Sequence, residues 1–366
     1  MTTPTALLIG GSGPTGPHIL EGLERRGYQV TMMHTGRHEL PEVQHVPHIH
    51  CRVHDADEAR AGLGDRTFDV AVVTYGRLRM LAELLQGRVG KLISIGGVPA
   101  YRGYFDPDKF EPPGLPVPTR EDAPTSTEDD DGKSYRIRRT EEMVFELHPT
   151  ASHFRYPMVY GPRQLAPREW CVVRRVLDDR PHIVVPDGGL TMVTHGYTQN
   201  LAHAVTLPLD TDAGDGEIFN VGDDECLTVR QIVEVIAGAL DSSIEIVDMP
   251  WDIAVPARPM VMGAKTTHRV MGTDKLRTLL GYRDLVPARE AIAATARWLT
   301  EHRPDPGGTE ERVLEDPFDY EAEDRLIASW RAAMAGVDVP TFDPMPGYGL
   351  AYAGPGTSHV RADTRI

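Results

Sequence analysis

Cysteine and lysine are scarce in this chain of 366 residues, and long apolar runs are missing. Its cysteines, Cys51, Cys171 and Cys226, stand far apart with no CxxC pair, which reads as neither a disulfide framework nor a zinc site. No run approaches the roughly 20 apolar residues that a membrane span needs. The start, Met1-Thr-Thr-Pro-Thr5, passes into an apolar run at 6–9 without a charged segment and a long apolar core, so no secretory signal is expected. The expectation is a soluble, reduced, cytoplasmic protein without membrane contact. Basic charge is also short: 38 Lys and Arg stand against 54 Asp and Glu, a net charge of −16. Such an excess repels phosphate backbones and argues against a nucleic-acid partner. Only Lys91, Lys109, Lys133, Lys265 and Lys275 are lysines; the other basic residues are arginines.

What is present is alternation. Short apolar runs at 6–9, 28–33, 68–73 and 91–95 are separated by turns, loops and helix-patterned stretches such as 18–26 and 78–85. Buried-type strands spaced by helices mean βαβ units and a parallel sheet. Residues 104–132 are rich in proline and carry the run Glu128-Asp-Asp-Asp131, which reads as a long loop or lid with a solvated acidic surface. A helix pattern resumes over 135–147 and a strand over 153–155. Further helices are expected at 170–177, 227–240 (with Thr228 as N-cap), 273–280 and 288–299, and strands at 183–185, 218–221 and 244–247. In the tail, Leu326, Ile327, Trp330 and Met334 fall on one helical stripe. That stripe predicts packing on the body of the protein or on a second subunit, as in a homodimer. Residues 340–366 read as irregular.

The first apolar run leads into Gly10-Gly-Ser-Gly13-Pro14-Thr15-Gly16, which opens the first helix. Gly10 permits the tight turn, Gly13 lets a pyrophosphate approach the backbone, and Gly16 lets helix and strand pack closely. The helix N-terminus supplies amides and the positive end of its dipole. The acid that usually binds the adenosine ribose about 20 residues on is missing: His34 stands there, followed by Thr35 and Arg37. A carboxylate would repel a 2′-phosphate, whereas Thr35 and Arg37 attract one, so NADP is favoured over NAD; the plainer reading of Arg37 is a loop charge. Thr74, Tyr75 and Gly76, after the 68–73 run, are further cofactor-lining candidates. Asp55 either contacts the adenine or caps the next helix. Six histidines lie between 34 and 54 (34, 38, 45, 48, 50 and 54). His48 and His50 alternate, unlike a helical metal pair, and no clustered carboxylate or thiolate partner is evident beyond Cys51 and Asp55. No metal site is expected.

Over about residues 5–300 the chain resembles the extended short-chain dehydrogenase/reductase family, of the NAD-dependent epimerase/dehydratase type. Beyond the glycine motif, Phe154-Arg-Tyr-Pro-Met-Val-Tyr-Gly-Pro-Arg-Gln164 resembles that family's R-x-x-x-V-Y-G-P-R segment. Phe219-Asn-Val-Gly222 with Leu227-Thr-Val-Arg230 resembles its F-N-V-G and T-V-R segments. Thr273-Asp-Lys-Leu276 with Leu280-Gly-Tyr282 resembles its K-x-x-x-L-G-(Y/W) segment.

The resemblance implies an α/β fold. A Rossmann-type doubly wound parallel sheet occupies 1–165, with later segments returning to it. A smaller C-terminal α/β substrate domain covers 166–303, and a C-terminal extension covers 304–366. It implies hydride transfer at a nicotinamide, with a Tyr in a YxxxK motif exchanging the hydroxyl proton and the Lys binding the ribose and lowering the Tyr pKa. Here Tyr135-Arg-Ile-Arg-Arg139 occupies that motif, with Arg139 in place of Lys. A guanidinium keeps the charge but is planar and relays no proton. The stretch Lys91-Leu-Ile-Ser-Ile-Gly-Gly97-Val-Pro-Ala-Tyr101 matches the family's S-S-x-x-V-Y, and its catalytic hydroxyl position falls on Gly97. Losing one such donor typically costs ~10²–10³ in rate, unless Ser94 or Tyr101 compensates. Ser94 also reads as a strand residue and Tyr101 as a packing residue. Tyr156, Pro157 and Val159 would wall the nicotinamide. Arg163 would meet an anionic substrate group or pair with an acid, and His195 lies on a strand leading to the substrate region. The implied function is an NAD(P)-dependent oxidoreductase or epimerase/dehydratase acting on a sugar nucleotide or a small secondary alcohol or ketone. The alternative is an NAD(P)-binding sensor or partner-binding protein with little redox turnover.

Overall fold

The computed structural model describes residues 3–343 apart from His38 and Tyr75. The chain forms two compact units, Met1–Phe318 and Asp319–Ile366. The first unit opens with β1 (Thr5–Ile9), α1 (Gly16–Glu24), β2 (Gln29–His34), β3 (His48–His50), α2 (Ala56–Leu63), β4 (Phe68–Val73), α3 (Leu78–Leu85), β5 (Val89–Gly97), α4 (Gly132–Leu147) and β6 (Ser152–Tyr156). Then come β7 (Met158–Tyr160), α5 (Trp170–Leu177), β8 (His182–Pro186), β9 (His195–Tyr197), α6 (Thr198–Thr206), β10 (Glu217–Asn220) and α7 (Val229–Ala239). It closes with β11 (Glu245–Met249), α8 (Arg258–Val261), α9 (Asp274–Leu280), α10 (Ala288–Glu301) and α11 (Thr309–Leu314).

Seven strands make one parallel sheet in the order β10-β6-β5-β4-β1-β2-β3. The winding reverses between β1 and β4, and a crevice opens beyond the carboxyl ends of strands at such a switch point. Leu7 and Ile9 of β1 pack with Ala59, Leu63, Leu81, Leu85 and Val144 on one face of the sheet. Ala6 and Leu8 pack with Ile19, Leu20, Leu23, Leu201 and Val205 on the other. Covering both faces is why β1 reads as an unbroken apolar run.

A second core gathers around the parallel pair β8–β11, where Trp170, Ile183, Val185, Ile236, Ile292 and Leu299 pack together. Helix α7 begins with a reciprocal cap: Thr228 accepts from the Gln231 amide, and the Gln231 side chain accepts from the Thr228 amide. Such a cap contributes about 1 kcal/mol.

The proline-rich stretch read as a loop or lid is pinned down. Tyr101, Tyr104 and Leu115 pack with Val98 and Met271. The Ser126 amide donates to the Ala100 carbonyl at 2.9 Å, and the Thr119 amide to that of Val270 at 2.7 Å. The acidic run divides. Glu128 and Asp129 are exposed, as expected. Asp131 caps α4, accepting from the Lys133 and Ser134 amides, and Asp130 pairs with Arg102.

The second unit contains helix α12 (Tyr320–Ala335), which holds the predicted stripe and is capped by Asp319. Most of the tail read as irregular lies outside the described residues. Among those described, no helix is long and apolar enough to cross a membrane.

Candidate active site

The glycine loop sits at the switch point. Gly10 follows β1 with φ of +102°, in the region that favours glycine. A Cβ on Gly16 would stand 1.9 Å from the Gly11 carbonyl oxygen, so helix and loop touch backbone to backbone. Around Gly13 and its neighbour Pro14 the loop is less crowded, for a Cβ on Gly13 would meet nothing within 4 Å. Thr15 precedes α1 without capping it through its side chain, leaving the helix N-terminus available to an anion. The Tyr156 hydroxyl is buried without a hydrogen-bond partner. Burial pushes its phenol pKa well up, against the pull of nearby Thr15. An open anion cradle beside an unsatisfied hydroxyl fits a dinucleotide.

The ends of β2 and β4 flank this loop. His34 closes β2 and is buried, with its Nε2 at 2.6 Å from His48 Nδ1. Thr35 is half-buried; Arg37 is exposed and pairs with no described carboxylate. Asp55 caps α2, accepting from the Asp57 and Glu58 amides. Thr74 donates its hydroxyl to the Ile9 carbonyl at 2.9 Å, tying β4 to β1. Gly76 follows with open space around it, and Tyr75 lies outside the described residues.

The carboxyl ends of β5 and β6 carry a different construction. A Cβ on Gly97 would meet Pro99 Cδ at 3.2 Å and the Tyr156 carbonyl oxygen at 3.7 Å, so any side chain there would press on the Pro99 ring. At Gly96, by contrast, the His153 ring occupies the space, with its Nε2 2.5 Å from a would-be Cβ. Ser94 and His153 are fully buried and bonded, Oγ to Nδ1, at 2.8 Å, which makes Ser94 a packed strand residue rather than a substitute donor.

Helix α4 turns Ser134, Glu141 and Val144 inward. Arg155 donates twice to Glu141, at 2.8 and 2.7 Å. Burial alone would raise the Glu141 pKa, but the bonds from Arg155 and His153 outweigh it and hold it at about 2. The Arg155 guanidinium lies 4.5 Å from the Tyr101 ring centroid, and the Tyr101 hydroxyl donates to Asn220 Oδ1 at 2.7 Å. Tyr101 is 1% exposed and burial pushes its phenol up to about 12. The structure therefore places Tyr101 in a closed framework and not at an open substrate wall. Tyr135 is half-buried, one position off the inward stripe. Arg139, one turn on, is exposed and donates to Glu142 at 2.5 Å, which corrects the picture of a guanidinium already set to hold a ribose.

Beyond β6 lie buried Pro157 and half-buried Val159. Arg163 is exposed and pairs with Glu42 at 2.5 Å, so its acid-pairing reading is the one realised. The Val159 carbonyl accepts from Arg168 Nη2 at 3.3 Å. Arg168 and His195 line one cavity with Glu169, Thr191, Val229 and Met260. Burial, with Arg168 adding to it, pushes the His195 imidazole down to about 3. Arg269 stacks over the Tyr104 ring at 5.1 Å and donates to the Val261 and Met262 carbonyls. Arg168 and Arg269 are 7% and 2% exposed, and neither makes a direct ion pair with a described carboxylate, although the buried Glu169 lines the same cavity and acts on Arg168 through its charge. Sequence reasoning missed both arginines, since neither falls in a spaced motif.

No family model matches the chain. An uncharacterised Escherichia coli K12 protein, YbjS, is 27% identical over 189 residues, covering 44% of this chain and 55% of that protein. The chain thus spans about half the length of the curated relative it matches. Among solved structures, a Thermotoga maritima UDP-glucose 4-epimerase with UDP-glucose superimposes with a TM-score of 0.65 at 18% identity, over 81% of this chain and 99% of that one. A Bacillus anthracis dTDP-glucose 4,6-dehydratase in complex with NAD gives 0.62 at 14% identity, over 82% and 97%. The chain has the fold of these enzymes, and the resemblance drawn from its motifs holds at that level.

Proposed function

We propose that this chain is an NAD(P)-dependent oxidoreductase of the extended short-chain dehydrogenase/reductase type, acting on a sugar nucleotide. The observation that carries this reading is the pair of buried guanidiniums, Arg168 and Arg269. A buried charge is costly unless a counter-charge completes it. The diphosphate of a sugar nucleotide is such a counter-charge once the narrow cavity beside Arg168, about 20 Å³, opens to admit it, and arginine binds phosphate through paired hydrogen bonds. Arg168 adjoins Val159, so an anion held there sits next to the wall that faces the nicotinamide.

The chain's residues then divide the work. The 10–16 loop and the N-terminus of α1 hold the pyrophosphate, with Thr15 and the Tyr156 hydroxyl beside it. Thr35 and Arg37 favour a 2′-phosphate, hence NADP. Bound there, the cofactor supplies a hydride acceptor and donor. Tyr135 exchanges the substrate's hydroxyl proton. The test is calorimetric titration with UDP-glucose, with dTDP-glucose as a second probe, beside NADP⁺. Arg168→Met and Arg269→Met should each weaken sugar-nucleotide binding at least ~10-fold, the scale of a lost charge-assisted contact, and leave NADP⁺ binding unchanged. Equal affinities for wild type and both variants would overturn the reading.

Gly97 and the outward pairing of Arg139 favour a second reading, an NAD(P)-binding protein with little turnover. Micromolar NADPH binding without hydride transfer across a panel of sugar nucleotides and ketones supports it; ordinary turnover that Tyr135→Phe abolishes removes it.

A further inference from the structure

The histidines between β2 and β3 do not behave as separate surface groups. His34 and His50 are cross-strand partners in the β2–β3 register, and His48 precedes His50 by two on the same face of β3. The loop between the strands brings Glu39 over these three rings. Its Oε1 stands 3.0 Å from His48 Nδ1, 3.0 Å from His50 Nε2 and 3.6 Å from His34 Nε2. The four ligand atoms all lie within 4.8 Å of one another.

We infer that His34, Glu39, His48 and His50 form a four-coordinate zinc site. Zinc with nitrogen ligands at about 2.0–2.1 Å requires tetrahedron edges of about 3.3 Å. Four of the six separations between these atoms, 2.6, 3.0, 3.0 and 3.6 Å, bracket that edge, and all six are within 4.8 Å. Three imidazoles and a carboxylate, without thiolate, suit Zn²⁺ over softer ions. His48 Nε2 lies 2.9 Å from the Val43 carbonyl; donating there leaves Nδ1 unprotonated and aimed at the metal, as outer partners of ligating histidines do. His34 needs the other tautomer, and the contact it gives up is long, 3.3 Å from the Gly36 amide to Nδ1. All four positions come from the protein, so the site is closed and structural rather than catalytic. Its effect is to clamp the segment between His34 and His48, which carries Thr35 and Arg37. Glu39 supplies the carboxylate that no spacing in the sequence announces, and alternation on a strand, unlike alternation on a helix, puts two side chains on one face.

The test uses the full chain without an affinity tag, stripped by a chelator and titrated with Zn²⁺ against a chromophoric competitor. The expected result is saturation at about one zinc per chain, with tight pH-7 binding. Glu39→Gln and His50→Ala, both at accessible positions, should each weaken zinc at least ~10-fold. His45→Ala, whose ring bonds Glu24 outside the cluster, should not. Cobalt substitution of the wild type should give the intense visible bands of a tetrahedral ion, a readout that depends on no variant folding. Absence of saturable zinc, an octahedral cobalt spectrum, or equal binding by all three variants leaves a hydrogen-bonded histidine cluster and overturns the inference. Neither result bears on sugar-nucleotide binding by Arg168 and Arg269, so the two proposals fail separately.

Discussion

The two sides of the switch point are built from different material. On the β1 side the candidate binding surface is backbone: the 10–16 loop and the start of α1 offer amides, and glycines keep side chains out of the way. On the β5–β6 side the surface rests on a buried framework of side chains bonded to one another, from Ser94 and His153 through Glu141, Arg155 and Tyr101 to Asn220. A surface made of amides tolerates changes in the residues around it. A surface made of side-chain donors loses a donor with each substitution, as at Gly97.

Glu141→Ala probes the second side and should have the largest effect. Stranding Arg155 in the interior should cost about 3–5 kcal/mol, measured by urea denaturation, while the folded fraction still binds NADP⁺. Loss of cofactor binding with unchanged stability would erase the distinction between the sides. Gly16→Val probes the first side. Pushing α1 off the loop should weaken NADP⁺ binding by ~100-fold, with a stability loss of roughly 1–3 kcal/mol from overpacking; retained affinity would mean the cradle is not the phosphate site.

Acid pH should separate two buried groups. His195 falls from an ordinary 6.5 to about 3, so its contribution is complete above pH 6.5 and is lost as pH falls toward 3. Glu141 falls from 4.5 to about 2, so its contribution begins to fade only below pH 4.5. Denaturation at pH 7, 5.5 and 4 should show stability declining already by pH 5.5, and His195→Gln should flatten that upper limb. Arg37→Glu should lower the preference for NADP⁺ over NAD⁺ about 10-fold, near the 1–3 kcal/mol range of a charge-assisted contact. Thr228→Ala, remote from both sides, should cost about 1 kcal/mol in thermal melts and leave both affinities alone.

The cradle side was legible because its physics is local. Glycine spacing, a strand before it and a helix after it are contiguous in the chain, and they appear where expected. Helix α5 came out as Trp170–Leu177, the bounds its periodicity indicates, and Thr228 caps α7 as its position suggests. Strands β3 and β7 escaped notice, being three residues each and too short for any pattern to register, while β9, equally short, was expected only through the family resemblance around His195. The 104–132 stretch read as a lid because proline signals irregular backbone and says nothing of what that backbone packs against.

Sequence alone determined the alternating α/β order, the glycine-rich turn between β1 and α1, the lack of an acid after β2, and the absence of a hydroxyl at position 97. These are statements about neighbouring residues, and short-range sterics and periodicity decide them. Tertiary structure decided which charges are spent and which remain. Arg163 is paired with Glu42 and Arg139 with Glu142, while Arg168 and Arg269, about 100 residues apart in the chain and unremarkable in it, are left buried with no described ion pair. The same folding set Glu39 among three histidines. Partner choice depends on distance in space, and with 54 acids available to 38 basic residues no spacing rule could say which pairs would form.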